Sequence, residues 1–196
     1  MEPFARGETR LDYARLHQST SISVPIWRHT LVRVATTRAT EFIDITDRLN
    51  AFVTATEILV GFVNIQALHT TTAIVVNEHE PLLLTDFESM LDKTAPADAP
   101  YRHDETSVRT VNVTPDERIN GYSHCRALLL GPSACVNIAD GRLLLGRWQR
   151  VFMVELDGPR DRVVSTMVCG EPLGSVRGSS RRRHGKARRA RKDGRR

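Results

Sequence analysis

A chain of 196 residues with 40% hydrophobic content is long enough to bury one ordinary core, and its formal net charge of +5 hides an uneven distribution. Eleven of its 28 Lys and Arg residues, against one of its 23 Asp and Glu residues, fall between Arg177 and Arg196. The body is left with seventeen basic and twenty-two acidic residues. This pattern excludes a basic body, and no apolar run approaches the length of a membrane span.

The first segment, residues 1–23, mixes charged and small polar residues without periodicity and reads as an extension with little structure of its own. Its first twenty residues are too charged for a signal-peptide core. The three cysteines, Cys125, Cys135 and Cys169, are widely spaced and form no CxxC pair. They indicate neither a thiolate zinc knuckle nor a disulfide framework, so a reducing cytosol and a soluble, cytoplasmic protein are expected.

From Pro25 the pattern becomes regular. Ile26 to Val34 predicts a strand and Phe42 to Ile45 another. Thr46 is expected to cap a helix to about Glu57, with Leu49, Phe52 and Val53 as its apolar stripe. Ile58–Leu68 and Thr72–Val76 read as strands, the second as a run buried on both faces. Alternation along the first turns His69 toward the same side as Val63, Ile65 and Ala67. Pro81 opens a helix to about Lys93, and a proline-containing loop then delivers Tyr101-Arg102-His103-Asp104. A further helix is expected after Thr114-Pro115-Asp116, carrying Asn120, His124 and Leu128 on one face and ending at Gly131-Pro132. Short strands follow around Ala134–Ile138, Arg142–Leu145, Trp148–Leu156 and Val163–Val168. Within them Glu155 alternates with Val151 and Met153, so its carboxylate needs a partner, a proton or a metal, or else lies at a wet edge.

No phosphate-binding GxxxxGK[ST] loop, GxGxxG turn, GxSxG elbow or HExxH helix is present. What carries chemistry is the set His69, His103 and His124, with Glu78, Glu155 and Asp104. Three neutral imidazoles on one divalent cation would leave a fourth position for water or substrate, with a carboxylate orienting a ring. Spacing alone leaves open that each is a structural or surface histidine.

Several motifs in order carry a resemblance. They are His69-Thr70-Thr71, Asn77-Glu78, Tyr101-Arg102-His103-Asp104, and His124 followed by Leu128-Leu129-Leu130-Gly131-Pro132-Ser133. Gly141 to Arg150 and Glu155-Leu156-Asp157-Gly158-Pro159-Arg160 complete the series. Over about Pro25 to Gly170 the chain resembles the YjbQ-like family. That resemblance implies an α+β domain over residues 24–172, with packed β-sheets forming a pseudobarrel and a few helices, usually assembled as a homotrimer. It implies a weak secondary thiamine-phosphate synthase activity, and it places the family's histidines on His69, His103 and His124 and its acidic positions on Glu78 and Glu155. The chain departs from the family at Asn137-Ile138, where proline is usual, at Thr72 and at Cys125.

Two functions are therefore expected. In the first, an enzyme joins a pyrimidine diphosphate to a thiazole phosphate. Glu78 and Glu155 are its catalytic carboxylates and His69, His103 and His124 hold zinc or magnesium. Thr70, Thr71, Asn77, Arg150 and Arg160 serve the phosphorylated substrate. In the second, a trimeric metal-binding body uses residues 177–196 of its basic, disordered tail (173–196) to grip nucleic acid or another polyanion without sequence preference.

Overall fold

The computed structural model describes residues 24–172. The extension expected over 1–23 and the basic segment over 173–196 lie outside the described residues. In chain order the elements are β1 (Ile26–Ala35), β2 (Glu41–Asp44), α1 (Thr46–Ala55), β3 (Ile58–Ala67), β4 (Thr72–Glu78) and α2 (Pro81–Thr94). After a single 3-10 turn at Arg102–Asp104 come α3 (Gly121–Leu130), β5 (Ser133–Ala139), β6 (Arg142–Leu143), β7 (Gln149–Glu155) and β8 (Asp161–Pro172). The strands make two antiparallel sheets, ordered β1-β8-β3-β5-β6 and β2-β7-β4. These sheets curl into the half-barrel of a mixed α+β domain, as expected.

The layering follows from residue pattern. β7 is the middle strand of the smaller sheet and is covered on both sides. Val151 and Met153 pack with Val63, Ile65, Val136, Val164 and Val168 of the larger sheet. Phe152 and Val154 pack against Leu91 of α2 and Ala127 of α3. That is why β7 reads as an unbroken apolar run. Burying a side chain the size of Phe152 or Met153 contributes about 1.5–3 kcal/mol each. β4 is sandwiched in the same way, with Ala73 in one core and Ile74 in the other. No described helix is long and apolar enough to cross a membrane.

Helix starts are set by specific polar contacts. At α2, Pro81 occupies the first position and the Glu80 carboxylate accepts the N–H groups of Leu82 (3.0 Å) and Leu83 (2.8 Å). Thr46 does not cap α1. Asp44 Oδ1 takes the Thr46 N–H at 2.9 Å, and the Thr46 hydroxyl instead accepts the Val151 N–H at 2.8 Å, tying α1 to β7.

The helix expected after Thr114 begins later, at Gly121. Glu117 closes the preceding turn through the Thr114 N–H, and Asp104 Oδ1 accepts the N–H groups of both Asn120 (3.1 Å) and Gly121 (2.9 Å). A cap supplied from across the fold thus overrides the local start signal. Asn120 stays outside the helix, and Leu128 is 84% exposed, so the expected common face of Asn120, His124 and Leu128 does not exist.

Candidate functional site

One cleft of about 520 Å³ gathers residues from the β3–β4 turn, the 3-10 turn, the loop before α3, α3 itself and the start of β8. His69, His103 and His124 all line it, so the three histidines singled out from sequence share one site.

Its floor is a buried ion pair. Glu155, at the end of β7, is 0% exposed and Arg162 of β8 is 3% exposed. Arg162 Nε donates to Glu155 Oε2 at 2.6 Å and Nη2 donates to Oε1. The Thr36 hydroxyl donates to Oε2 at 3.0 Å, and the N–H groups of Leu156 (2.9 Å) and Asp157 (2.8 Å) donate to Oε1. Burial acts to raise the pKa of Glu155. The bonds from Arg162, the Asp157 amide, the Arg162 charge and Thr36 overcome it and hold the carboxyl below its ordinary range. The expected catalytic role of Glu155 does not fit this setting. A sealed carboxylate with both oxygens engaged cannot reach a substrate, and it positions Arg162 instead. Arg162 in turn donates to the Thr71 hydroxyl at 3.1 Å, which fixes that oxygen at the cleft lining and leaves Thr71 its own O–H as a donor. Thr70 is exposed on the cleft wall.

His69 sits above this floor. Its Nε2 accepts the Val163 backbone N–H at 2.9 Å. Burial, followed by the charge of Arg162, lowers its pKa, and Glu155 opposes the shift.

On the opposite wall, His103 and His124 lie 4.5 Å apart, centroid to centroid, with ring planes tilted by 55°. Asp104, adjacent to His103, caps the helix that carries His124, so one carboxylate ties together the two segments that bear these rings. Gly121 permits the approach: a Cβ there would lie 2.4 Å from Tyr101 Cβ. Burial lowers the pKa of His124, and the neighbouring His103 lowers it further. Arg109 ties the loop before α3 to this wall. Its Nη1 donates to Glu117 Oε1 at 2.5 Å, to the His103 carbonyl at 3.3 Å and to His103 Nε2 at 3.1 Å, while Nη2 donates to the Asn112 carbonyl at 2.6 Å.

At the mouth, two guanidinium groups share one carboxylate. Arg160 Nη2 lies 2.8 Å from Asp157 Oδ2, and Arg118 Nη1 lies 3.9 Å from Asp157 Oδ1. Asp157 is itself 4% exposed and also accepts from Asn120 Nδ2 at 3.0 Å. Arg118 and Arg160 keep 45% and 38% of their side-chain surface exposed, so each presents part of its guanidinium to the cleft, which Asp116 and Glu117 also line. Arg160 therefore stands where a substrate-binding residue was expected. Arg109, Arg118, Asn120, Asp157 and Arg162 were not singled out from sequence as site residues.

Glu78, Asn77 and Arg150 are elsewhere. They lie at the far end of β4 and its neighbour β7, where Asn77 pairs with Arg150 and Glu78 with Gln149. A strand of seven residues carries them about 20 Å from the turn that holds His69. Arg150 is occupied by Asp44 (2.6 Å) and Asp47 (3.0 Å). Asn77 lines a separate small apolar groove with Phe42, Val75 and Phe87. Within one chain these three residues do not join the histidines, so their expected catalytic and substrate-binding roles at that site fail on distance.

The divalent cation expected on the three histidines does not fit the residues either. A metal-bound imidazole donates its second N–H to an acceptor, whereas Nε2 of His69 faces a donor. His103 Nε2 lies 3.1 Å from the Arg109 guanidinium, nearer than the 3.6 Å to Glu117 Oε1. Among the described residues, no group of three or more His, Cys, Asp or Glu side chains is arranged to hold a metal ion.

Residues 30–171 match the family model described as UPF0047 protein YjbQ-like. A UPF0047 protein of Methanothermobacter thermautotrophicus is 41% identical over 137 residues, covering 70% of this chain and 88% of that protein. UPF0047 protein YugU of Bacillus subtilis is 32% identical over 141 residues, 71% of this chain and 97% of that protein. A solved YbjQ-like protein of unknown function from Sulfolobus solfataricus superposes with a TM-score of 0.68 at 30% identity, covering 76% of this chain and all of that one. An uncharacterized conserved protein from Clostridium acetobutylicum gives 0.63 at 31% identity, covering 71% and 98%. These findings overturn the expected thiamine-phosphate synthase activity. The relatives bear only the UPF0047 designation, and the solved structures are described as uncharacterized or of unknown function.

Proposed function

Since this chain belongs to the YjbQ-like UPF0047 family, whose shared fold brings no reaction with it, we propose from the cleft's own chemistry that it is an enzyme site for a small phosphorylated molecule. The carrying observation is the mouth, where Arg118 and Arg160 share the single carboxylate of Asp157 beside three imidazoles. Guanidinium groups with spare donors suit phosphate oxygens, and the Thr70 hydroxyl adds a further donor. His124, kept neutral by burial and by His103, is the group that moves a proton near neutral pH. A panel of phosphate monoesters and diesters tests the reading by thermal shift on the full chain, followed by turnover of whichever esters stabilise it. His124→Ala should keep the stabilisation and lose turnover by about 10²–10⁴-fold. A panel without a single saturable stabiliser rejects the reading.

Assembly as a homotrimer is proposed alongside, supported by the outer face of the larger sheet. Trp27 and Phe62 flank Cys169 in register and meet edge to face at 6.4 Å, with Leu31 and Met167 exposed nearby. Free thiols at Cys125, Cys135 and Cys169 support a cytosolic setting. The positive charge of residues 177–196 supports nonspecific contact with nucleic acid. Truncation after Ser175 should abolish that contact and its salt dependence, and unchanged binding would remove the proposal.

A further inference from the structure

We infer that His69 is a hydrogen-bond donor of fixed tautomer, whose Nδ1–H is aimed at an oxyanion of the bound molecule, and that it is not a ligand to a cation. Val163 of β8 sets the protonation of this ring. Its backbone N–H can only donate, so Nε2 of His69, 2.9 Å away, must carry a lone pair. In a neutral ring the proton then resides on Nδ1, which has no protein partner among the described residues. The ring lines the cleft together with Thr70, Arg118 and Arg160, so this N–H joins a wall of donors.

Coordination through Nδ1 would place a proton on Nε2, against the Val163 N–H. Coordination through Nε2 would displace the Val163 bond and leave that amide unpaired. Full protonation meets the same clash and adds a charge beside Arg160 and Arg162. Every alternative state costs a hydrogen bond, and the Nδ1–H form costs none. A neutral donor held in place without reorganisation is an effective partner for an oxyanion. This assignment rests on the proposed phosphate-binding cleft and identifies a neutral donor that meets the phosphate alongside the arginines.

Long-range ¹H–¹⁵N correlation of the imidazoles in the labelled full chain tests it, with His69 identified by its absence from the His69→Gln spectrum. The expected result is an Nδ1–H tautomer near neutral pH before any ligand is added. His69 signals should then shift with inorganic phosphate and not with an equal concentration of zinc. Phosphate affinity should fall about tenfold or more in His69→Ala, as for a lost hydrogen bond to a charged group. It should stay within about threefold in His69→Gln, whose amide accepts from Val163 and donates to the anion. An Nε2–H ring, or zinc bound stoichiometrically through His69, overturns the inference. So does phosphate that shifts Arg118 and Arg160 but not His69, which leaves the phosphate-binding cleft standing. Phosphate that shifts no cleft signal overturns the cleft and the inference together.

Discussion

Arg162 holds Glu155 through two parallel hydrogen bonds, Nε to Oε2 at 2.6 Å and Nη2 to Oε1, at a point where the two side chains are 4% and 0% exposed. The pair joins β8 of the larger sheet to β7 of the smaller one directly beneath the cleft. Breaking a buried pair from one side strands the other charge, which costs about 3–5 kcal/mol. Glu155→Ala should therefore lower the unfolding free energy by about 3–5 kcal/mol, read as a lower urea midpoint at an unchanged slope. A loss under about 1 kcal/mol would show that the pair is not sealed from water.

Acid sensitivity follows from four groups with displaced pKa values. Asp44 is pulled down to about 2: burial acts to raise it, and bonds from Arg150, Thr46 and His79 overcome that. Glu155 is lowered for parallel reasons. In each, the unfolded chain takes up protons more readily than the folded one, so the stabilisation is complete above the ordinary carboxylate range and is lost as pH falls toward the folded value. His69 and His124 are also lowered, from an ordinary value of 6.5. Their contribution is present above that value and drains away below it. Stability measured by denaturant should fall in two stages, first below about pH 6.5 and again below about 4.5. A flat profile from pH 7 to 5 would contradict the histidine assignments.

Asp104 joins His103 to His124 through the start of α3, so its removal should loosen both. Asp104→Ala should cost about 0.5–2 kcal/mol, the range for a lost N-cap. It should also weaken binding of a phosphate ester at the cleft. Asp104→Asn, which keeps an acceptor oxygen, should recover most of both. Loss of stability with unchanged binding would place the His103–His124 wall outside the site.

Much of this was legible in the sequence because the sheets alternate or run apolar in the manner their burial demands. β7 and β4 are covered on both faces and read as continuous apolar strands. Alternation from Val151 and Met153 turns Glu155 inward, where it indeed needs a partner. Pro81 marks α2 at its first residue. The start of α3 was not legible, since Asp104, sixteen residues earlier in the chain, supplies its cap. Arg162 escaped because β8 begins two residues before its apolar run, so the one charged residue facing inward looked like loop. Arg118 and Asp157 came together only through the fold. Asn77 and Glu78 stand in one motif with His69, yet β4 separates its two ends by its whole length, and Arg150 pairs with Asn77 at the far one.

Assembly gives a further test. Trp27→Glu with Phe62→Glu places two charges on the outer sheet face, where a partner copy is proposed to pack. Light scattering should report three chains per particle for the parent and one for the double variant. A monomeric parent at micromolar concentration would remove the trimer from the account.

The most direct measurement is calorimetric titration of a plain phosphate ester, glycerol 2-phosphate, into the full chain and two variants. The account predicts saturable binding near one site per chain in the parent, retained in Arg150→Ala, whose guanidinium is held by Asp44 and Asp47 away from the cleft. Binding should disappear in Arg118→Ala with Arg160→Ala, which removes both guanidinium groups at the mouth. No binding by the parent, or binding that survives the double variant and is lost in Arg150→Ala, would contradict it.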